Sequence, residues 1–372
     1  MSGCRARALA SAHAALAVTL GAIAVGRAQA SGECAPDTPA SAAHPGRLAA
    51  LLSRCIVGDA LWPRAGGSPW LGLGPATTTP TDTAAFAAVF SYVSRPLVLT
   101  VPSADYAGTR TYVLDNVLGA TFAVALGLGP RVELTVAAPF VLFQDGAGLS
   151  AATGGDHALP PSAVGDVRFG TGVALVPRRR ATPPLEVEDT ERGHPAPPDG
   201  PALGARLEVV APTGSGAAFA SAGGATLVPS LVYDHRLGIV RWGAELGARL
   251  RPVAQELAGS TVQNQLTTAA GVSVDALEEG WLSVSLELSA LVGLVERQRI
   301  VPDPATGAHG DEPTGSIDVP AEWLLGVRTA HWLDGRIGLA AAGGGFVPTG
   351  EVSALGTPRF RFALALEYAS PE

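Results

Sequence analysis

The sequence contains no lysine: all 25 basic side chains among its 372 residues are arginine. We read that bias as codon usage rather than a site. Charge of either sign is scarce, at 16% of residues against a usual fraction of about 25%, and mean hydropathy is +0.27. Yet past the N-terminus no stretch reaches the ~18 uninterrupted apolar residues of a membrane helix; 117–128 comes nearest. High apolarity without a spanning helix is unusual in a soluble exported chain. It is what a membrane barrel shows, because half of every strand faces lipid.

Histidine is sparse too, with seven in the chain. Past the first 30 residues they are His44, His157, His194, His235, His309 and His331. None is expected mid-strand on an inner face, and no serine–histidine pair on adjacent inner faces is recognisable, so no enzyme activity is expected. No His/Cys spacing suits zinc, the acidic loop 303–315 lacks a calcium-loop pattern, and no glycine cluster opens a helix after a strand. No cofactor is expected.

What is present begins with an export signal. Arg5 and Arg7 precede an uncharged small and apolar run from Ala8 to Val25, and Ala28-Gln29-Ala30 supplies a cleavage pattern. Residues 1–30 are therefore expected to be a signal peptide; a buried N-terminal helix is the alternative. Its removal takes 3 of the 25 arginines, leaving 22 bases against 33 acids, a net charge of −11. That balance argues against a nucleic-acid partner. Cys4 leaves with the signal. Cys34 and Cys55 remain, an even pair in an oxidising compartment, where a disulfide is expected and two free thiols are the alternative.

Residues 31–83 form an N-terminal periplasmic or plug segment and linker. Within it 47–57 (RLAALLSRCIV) suggests a short helix, and 63–83 is rich in glycine, proline and threonine. From Ala84 the period becomes two. Val240, Trp242, Ala244, Leu246 and Ala248 alternate with Arg241, Gly243, Glu245, Gly247 and Arg249; the closing stretch RFRFALALEY (359–368) does the same. Residues that alternate along a strand point to opposite faces. Twelve such segments fall at about 84–95, 111–126, 131–143, 163–176, 202–211, 225–234, 238–251, 263–276, 280–294, 317–331, 335–347 and 357–368. Short turns join even to odd strands, and longer loops join odd to even, which is the barrel pattern with the short turns periplasmic. The charged, proline-rich stretch 177–201 is the exception. Residues 84–372 are thus expected to form a closed antiparallel transmembrane β-barrel, all-β, of about 12 strands in the outer membrane, with both chain ends on the short-turn side. A secreted soluble β-sandwich is the alternative.

On this reading Arg206, Glu208, Arg241, Glu245, Arg249, Glu287, Arg328, Arg359, Arg361 and Glu367 face the lumen, together with Arg168, Arg251, Glu133, Asp166, Asp234 and Glu322. These are eight bases against eight acids: either a solute path or a lattice of ion pairs that stiffens a narrow barrel. Tyr233, Trp242, Trp332, Phe360 and Tyr368 would mark the lipid–water interface. The expected partners are outer-membrane lipid and small solutes, passing passively, with a structural role in the envelope as the other possibility.

The stretches VSRPLVL (93–99), YVLDNVLGATFAVALGL (112–128), VELTVAAPF (132–140), AVGDVRFGTGVAL (163–175), EVVAPTGS (208–215), LVYDHRLGIVRWGAELGARLR (231–251) and TPRFRFALALEY (357–368) carry a resemblance. In order, the chain resembles the N-terminal barrel of bacterial outer-membrane-protein-A-related envelope proteins and, more loosely, transporter-type outer-membrane barrels. The resemblance implies no catalytic residue. Such proteins often carry a C-terminal peptidoglycan-binding domain, and none is expected here. An aromatic final strand resembles the signal read by the barrel-assembly machinery, with Phe362 and Tyr368 in that role, although Ala369–Glu372 follow.

Overall fold

The computed structural model describes Cys34 and residues 52–66, 68–101, 109–150, 158–178, 199–277, 281–302, 309–329, 337–348 and 355–369. The expected signal peptide, residues 1–30, and Trp332 lie outside them. Seventeen strands are formed: β1 Ala84–Val101, β2 Thr109–Gly129, β3 Val132–Asp145, β4 Ala163–Val164, β5 Val167–Val176, β6 Gly200–Ala211, β7 Thr226–Leu237, β8 Val240–Arg249, β9 Gln255–Leu257, β10 Ser260–Val262, β11 Gln265–Asp275, β12 Leu282–Gly293, β13 Glu296–Pro302, β14 His309–Ile317, β15 Ala321–Thr329, β16 Ile337–Phe346 and β17 Phe360–Ala369.

Twelve of these close into one antiparallel barrel, β1-β2-β3-β5-β6-β7-β8-β11-β12-β15-β16-β17, sealed where β17 meets β1 from Ala85↔Ala369 to Ser94↔Phe360. Closure pairs the backbone groups that a sheet edge would leave exposed. The alternation of β17 explains its sequence. Phe360, Phe362, Leu364, Leu366 and Tyr368 are 40–48% exposed on the outside, whereas Arg361 and Ala363 are wholly buried inside. The same inversion holds around the wall: Phe90, Phe122, Phe169, Leu231, Leu246, Leu286 and Leu325 face out, and arginine and glutamate face in. Soluble monomers rarely expose an apolar surface of this extent, and a sandwich would bury its Phe and Leu, so this arrangement is not a soluble sandwich.

Several strands differ from the sequence reading. β1 is 18 residues long and β2 is 21. The sequence reading ends the first strand at about Arg95, just before Pro96. The structure instead absorbs Pro96 in a bulge, with register shifts between Ser94 and Val98 and Arg95 at φ 54°, since proline has no N–H to give the ladder. The long connections carry their own hairpins, β9–β10 and β13–β14.

The helix expected over 47–57 is absent from its described part: Leu52 bridges Leu257 of β9 in antiparallel fashion. Leu52 and Ile56 join Leu97, Leu99, Val113, Leu114, Phe219 and Leu257 in an apolar cluster at the long-loop end of the barrel. Burial there outweighs the local helical pattern. Cys34 and Cys55 form a disulfide with Cα atoms 5.5 Å apart, beside Gly216 and Gly223 of the loop between β6 and β7. The described start of the segment thus sits at the long-loop end, not the short-turn end expected for both chain ends. By Thr79–Asp82 the chain has reached the opposite end, where the Asp82 N–H donates to Gly127 O at 3.0 Å.

Candidate functional site

Residues 52–66 and 68–83 run lengthwise through the barrel, and what holds them is the set of charges the strands turn inward. Arg64 donates to both Glu245 oxygens at 2.7 and 2.8 Å and to Glu208 at 3.2 Å. The Gly72 N–H donates to Glu287 at 3.1 Å, and the neighbouring N–H groups of Leu71 and Leu73 bond the same carboxylate. Thr79 gives Glu133 both its N–H and its hydroxyl, at 2.8 and 3.0 Å. Arg206 donates to Pro75 O at 2.7 Å and to Glu133 at 3.1 Å. Arg361, fully buried, is shared among Asp59, Glu322 and Ser91. A segment rich in glycine and proline cannot pair its own backbone, and these wall carboxylates satisfy its N–H groups instead.

Shape completes the seat. Trp70 lies flat on β8 and β11, and a Cβ placed on Gly271 would come within 2.3 Å of its indole nitrogen. On the other side Ala65 packs against Ala85, Ala87, Ala123, Ala125 and Ala137. Two cavities remain beside residues 60–62. One, of about 100 Å³, is bordered by Val89, Val117, Thr121, Phe140, Arg168 and Arg249. The other, of about 80 Å³, is bordered by Arg64, Thr267, Ser289 and Glu322.

Of the residues expected to face the lumen, Arg206, Glu208, Glu245, Arg249, Glu287, Arg361 and Glu367 are buried inside. Arg241 and Arg328 also point inward, on Asp234 and Glu367 respectively. Arg359 does not: it is exposed at the rim before β17, and among the described residues its backbone N–H alone is engaged, by Ser94 O at 2.8 Å. A one-residue difference in where the strand begins accounts for it. Tyr233 and Trp242 are neighbours on the outer face, ring centroids 5.1 Å apart, with His235 stacked over Trp242 at 5.9 Å. Phe360 and Tyr368 lie at the two ends of β17 on that face. Trp281 lies just before β12 and is 52% exposed.

Sequence reasoning missed the residues that divide the lumen: Asp59, Trp62, Arg64 and Trp70. The available signal was a pair of opposite charges and two tryptophans spaced along an otherwise small and turn-rich stretch.

No family model and no curated protein matches the sequence. Among solved structures, an outer-membrane channel from Pseudomonas putida F1 aligns at TM-score 0.52 and 12% identity, covering 82% of this chain and all of that one. The NanC porin (TM-score 0.40, 7% identity, 78% of this chain and 99% of that one) and the toluene transporter TbuX of Ralstonia pickettii (0.36, 8%, 78% and 89%) are more distant. At such identities only the first of these carries weight, and what it shows is the fold, a closed antiparallel barrel shared over 82% of this chain.

Proposed function

We propose that this chain is an outer-membrane barrel protein that lets small solutes cross through a lumen narrowed by its own N-terminal segment. The observation that carries this reading is the inversion of the wall: an apolar exterior closed on itself and a charged interior lined by residues 52–83, with cavities left beside them. The exterior suits acyl chains as its solvent. Export through the signal at 1–30, periplasmic short turns, insertion by the assembly machinery and contact with outer-membrane lipid belong to the same proposal. Kinship with outer-membrane-protein-A-related barrels rests on the strand motifs alone, and the pore reading does not depend on it. The inner groups described here are engaged in holding a segment, which favours transport over catalysis.

The test is single-channel recording of the purified full chain in a planar bilayer. Small, steady current steps are expected. Electrical silence, in the wild type and in a variant with Arg64 and Asp59 both made neutral, would sink passage and leave a purely structural cylinder.

A further inference from the structure

Among the described residues most inward charges are matched by an opposite charge, but three arginines are not. Arg168, Arg249 and Arg251 are each more than nine-tenths buried. Arg168 donates to Pro63 O at 3.0 Å, Arg249 to Ala60 O at 3.4 Å, and Arg251 to Gln263 O and Gln265 Oε1 at 3.1 and 2.6 Å, all neutral acceptors. Arg168 Nη1, Arg249 Nε and Arg251 Nε have no partner among the described residues. The acids nearby are engaged elsewhere: Asp59 on Arg361, Glu208 on Arg64, and Asp166 on the N–H groups of Gly214 and Ala222 at 2.9 and 2.8 Å. Burying a guanidinium without a counter-charge is costly.

These arginines border the larger cavity. Trp62 lies against two of them, with the Arg249 guanidinium carbon 3.8 Å and that of Arg168 5.0 Å from its ring centroid. Stacking of this kind holds a guanidinium in plane with its remaining donors free. The rest of the lining is largely apolar, including Val89, Leu114, Val117 and Phe219. An apolar chamber with a few convergent donors is the usual form of a small-molecule site.

We propose that this chamber binds a small organic monocarboxylate with an apolar body about the size of a benzene ring. The carboxylate would take the free donors of Arg168 and Arg249 in charge-assisted hydrogen bonds, and the body would lie against Val89, Val117 and Phe219. The volume of about 100 Å³ is of the order that admits a single ring. A bare inorganic anion would leave the apolar lining unfilled, and a neutral aromatic would leave the arginines unmatched. The inference rests on the channel reading only in treating the ligand as a solute in transit.

The test is calorimetry on the full chain in detergent with sodium benzoate, benzyl alcohol and sodium acetate. Benzoate is expected to bind at least tenfold more tightly than either of the others. Arg249→Gln should weaken benzoate at least tenfold while leaving benzyl alcohol unchanged, and Thr121→Phe, which fills the chamber without altering charge, should abolish binding. Heat-modifiable gel mobility reports assembly of each variant. Equal affinity for benzyl alcohol, no benzoate binding to the wild type, or binding indifferent to an assembled variant would each overturn the site. Bilayer recordings on the same preparation separate the two claims. Conductance without benzoate binding removes the site and keeps the pore; binding without conductance does the reverse.

Discussion

Two opposite arcs of the lumen wall differ in kind. The inner faces of β1 and β2 present Ala85, Ala87, Val89, Ser91 and Val93, and Val117, Gly119, Thr121, Ala123 and Ala125, none of them charged. Across the barrel β6, β7 and β8 present Arg206, Glu208, Asp234, Arg241, Glu245 and Arg249. One arc gives room and the other gives attachment. The internal segment shows the same division, with Ala65 against the alanines and Arg64, its neighbour in sequence, on the carboxylates. A plug held by apolar contact alone could slide, and one held by ions alone would need a wider lumen full of water. Splitting the tasks fixes position while leaving space on the smooth side, where the larger cavity lies.

The comparison breaks most readily at a charge that the segment shares with the wall. Arg361→Met would leave Glu322 and Asp59 facing each other without their common cation. Removing one member of a buried ionic cluster costs about 3–5 kcal/mol. Urea titration of the folded barrel, followed by gel mobility, should show a loss of that order, and adding Glu322→Met should restore part of it. If Arg361→Met alone is neutral, the charged groups are not what hold the segment.

A second substitution asks whether both arcs stand in the same surroundings. Leu246 is 59% exposed on β8, next to buried Glu245. Leu246→Arg is expected to cost about 2–4 kcal/mol at mid-bilayer depth and to block insertion into lipid vesicles. Glu245→Gln should insert normally, weaken the hold on Arg64 and raise conductance. Equal insertion of both variants would mean that the outer face does not meet lipid.

The smooth arc can be sharpened by crowding it. Ala125 is fully buried among the alanines that meet Ala65. Ala125→Leu is expected to cost about 1–3 kcal/mol through overpacking, and to push the segment toward the charged arc. Trp62 and Trp70 would then move, and near-ultraviolet circular dichroism should change while the strand signal stays constant.

How much of this was legible beforehand follows from where the order comes from. The wall was readable because each strand carries its own instruction: alternation in β8, β12 and β17 states which side is in before any partner is known. Marking the alternating segments likewise led to the count of twelve, and the loop asymmetry pointed to a barrel. The internal segment has no such period. Its path is set by Glu133, Glu208, Glu245 and Glu287, which lie 54 to 216 residues away, so nothing local announces it. The sequence reading paired eight inner bases with eight inner acids. In the structure Arg64 and the segment N–H groups take acids that wall arginines would otherwise have met, and that displacement is why Arg168, Arg249 and Arg251 are left over. The failure of a local helix at 52–57 has the same origin, since Leu52 and Ile56 gain more from distant Leu97, Phe219 and Leu257 than a helix of that length would supply.

The smallest expected effect tests the boundary between wall and rim. Arg359 and Arg361 are two residues apart and, by alternation alone, would be equivalent. Arg361 is wholly buried in an ionic cluster, whereas Arg359 stands exposed one residue before the strand begins. Exposed side chains away from such networks usually contribute less than about 0.5 kcal/mol. Arg359→Ala should therefore leave the urea midpoint and the conductance unchanged, because among the described residues its hydrogen bond is made by the backbone N–H, to Ser94. A loss comparable to that of Arg361→Met would mean that the inner face of β17 extends past Phe360, and that the charged lining reaches the long-loop end of the barrel rather than stopping below the apolar cluster there.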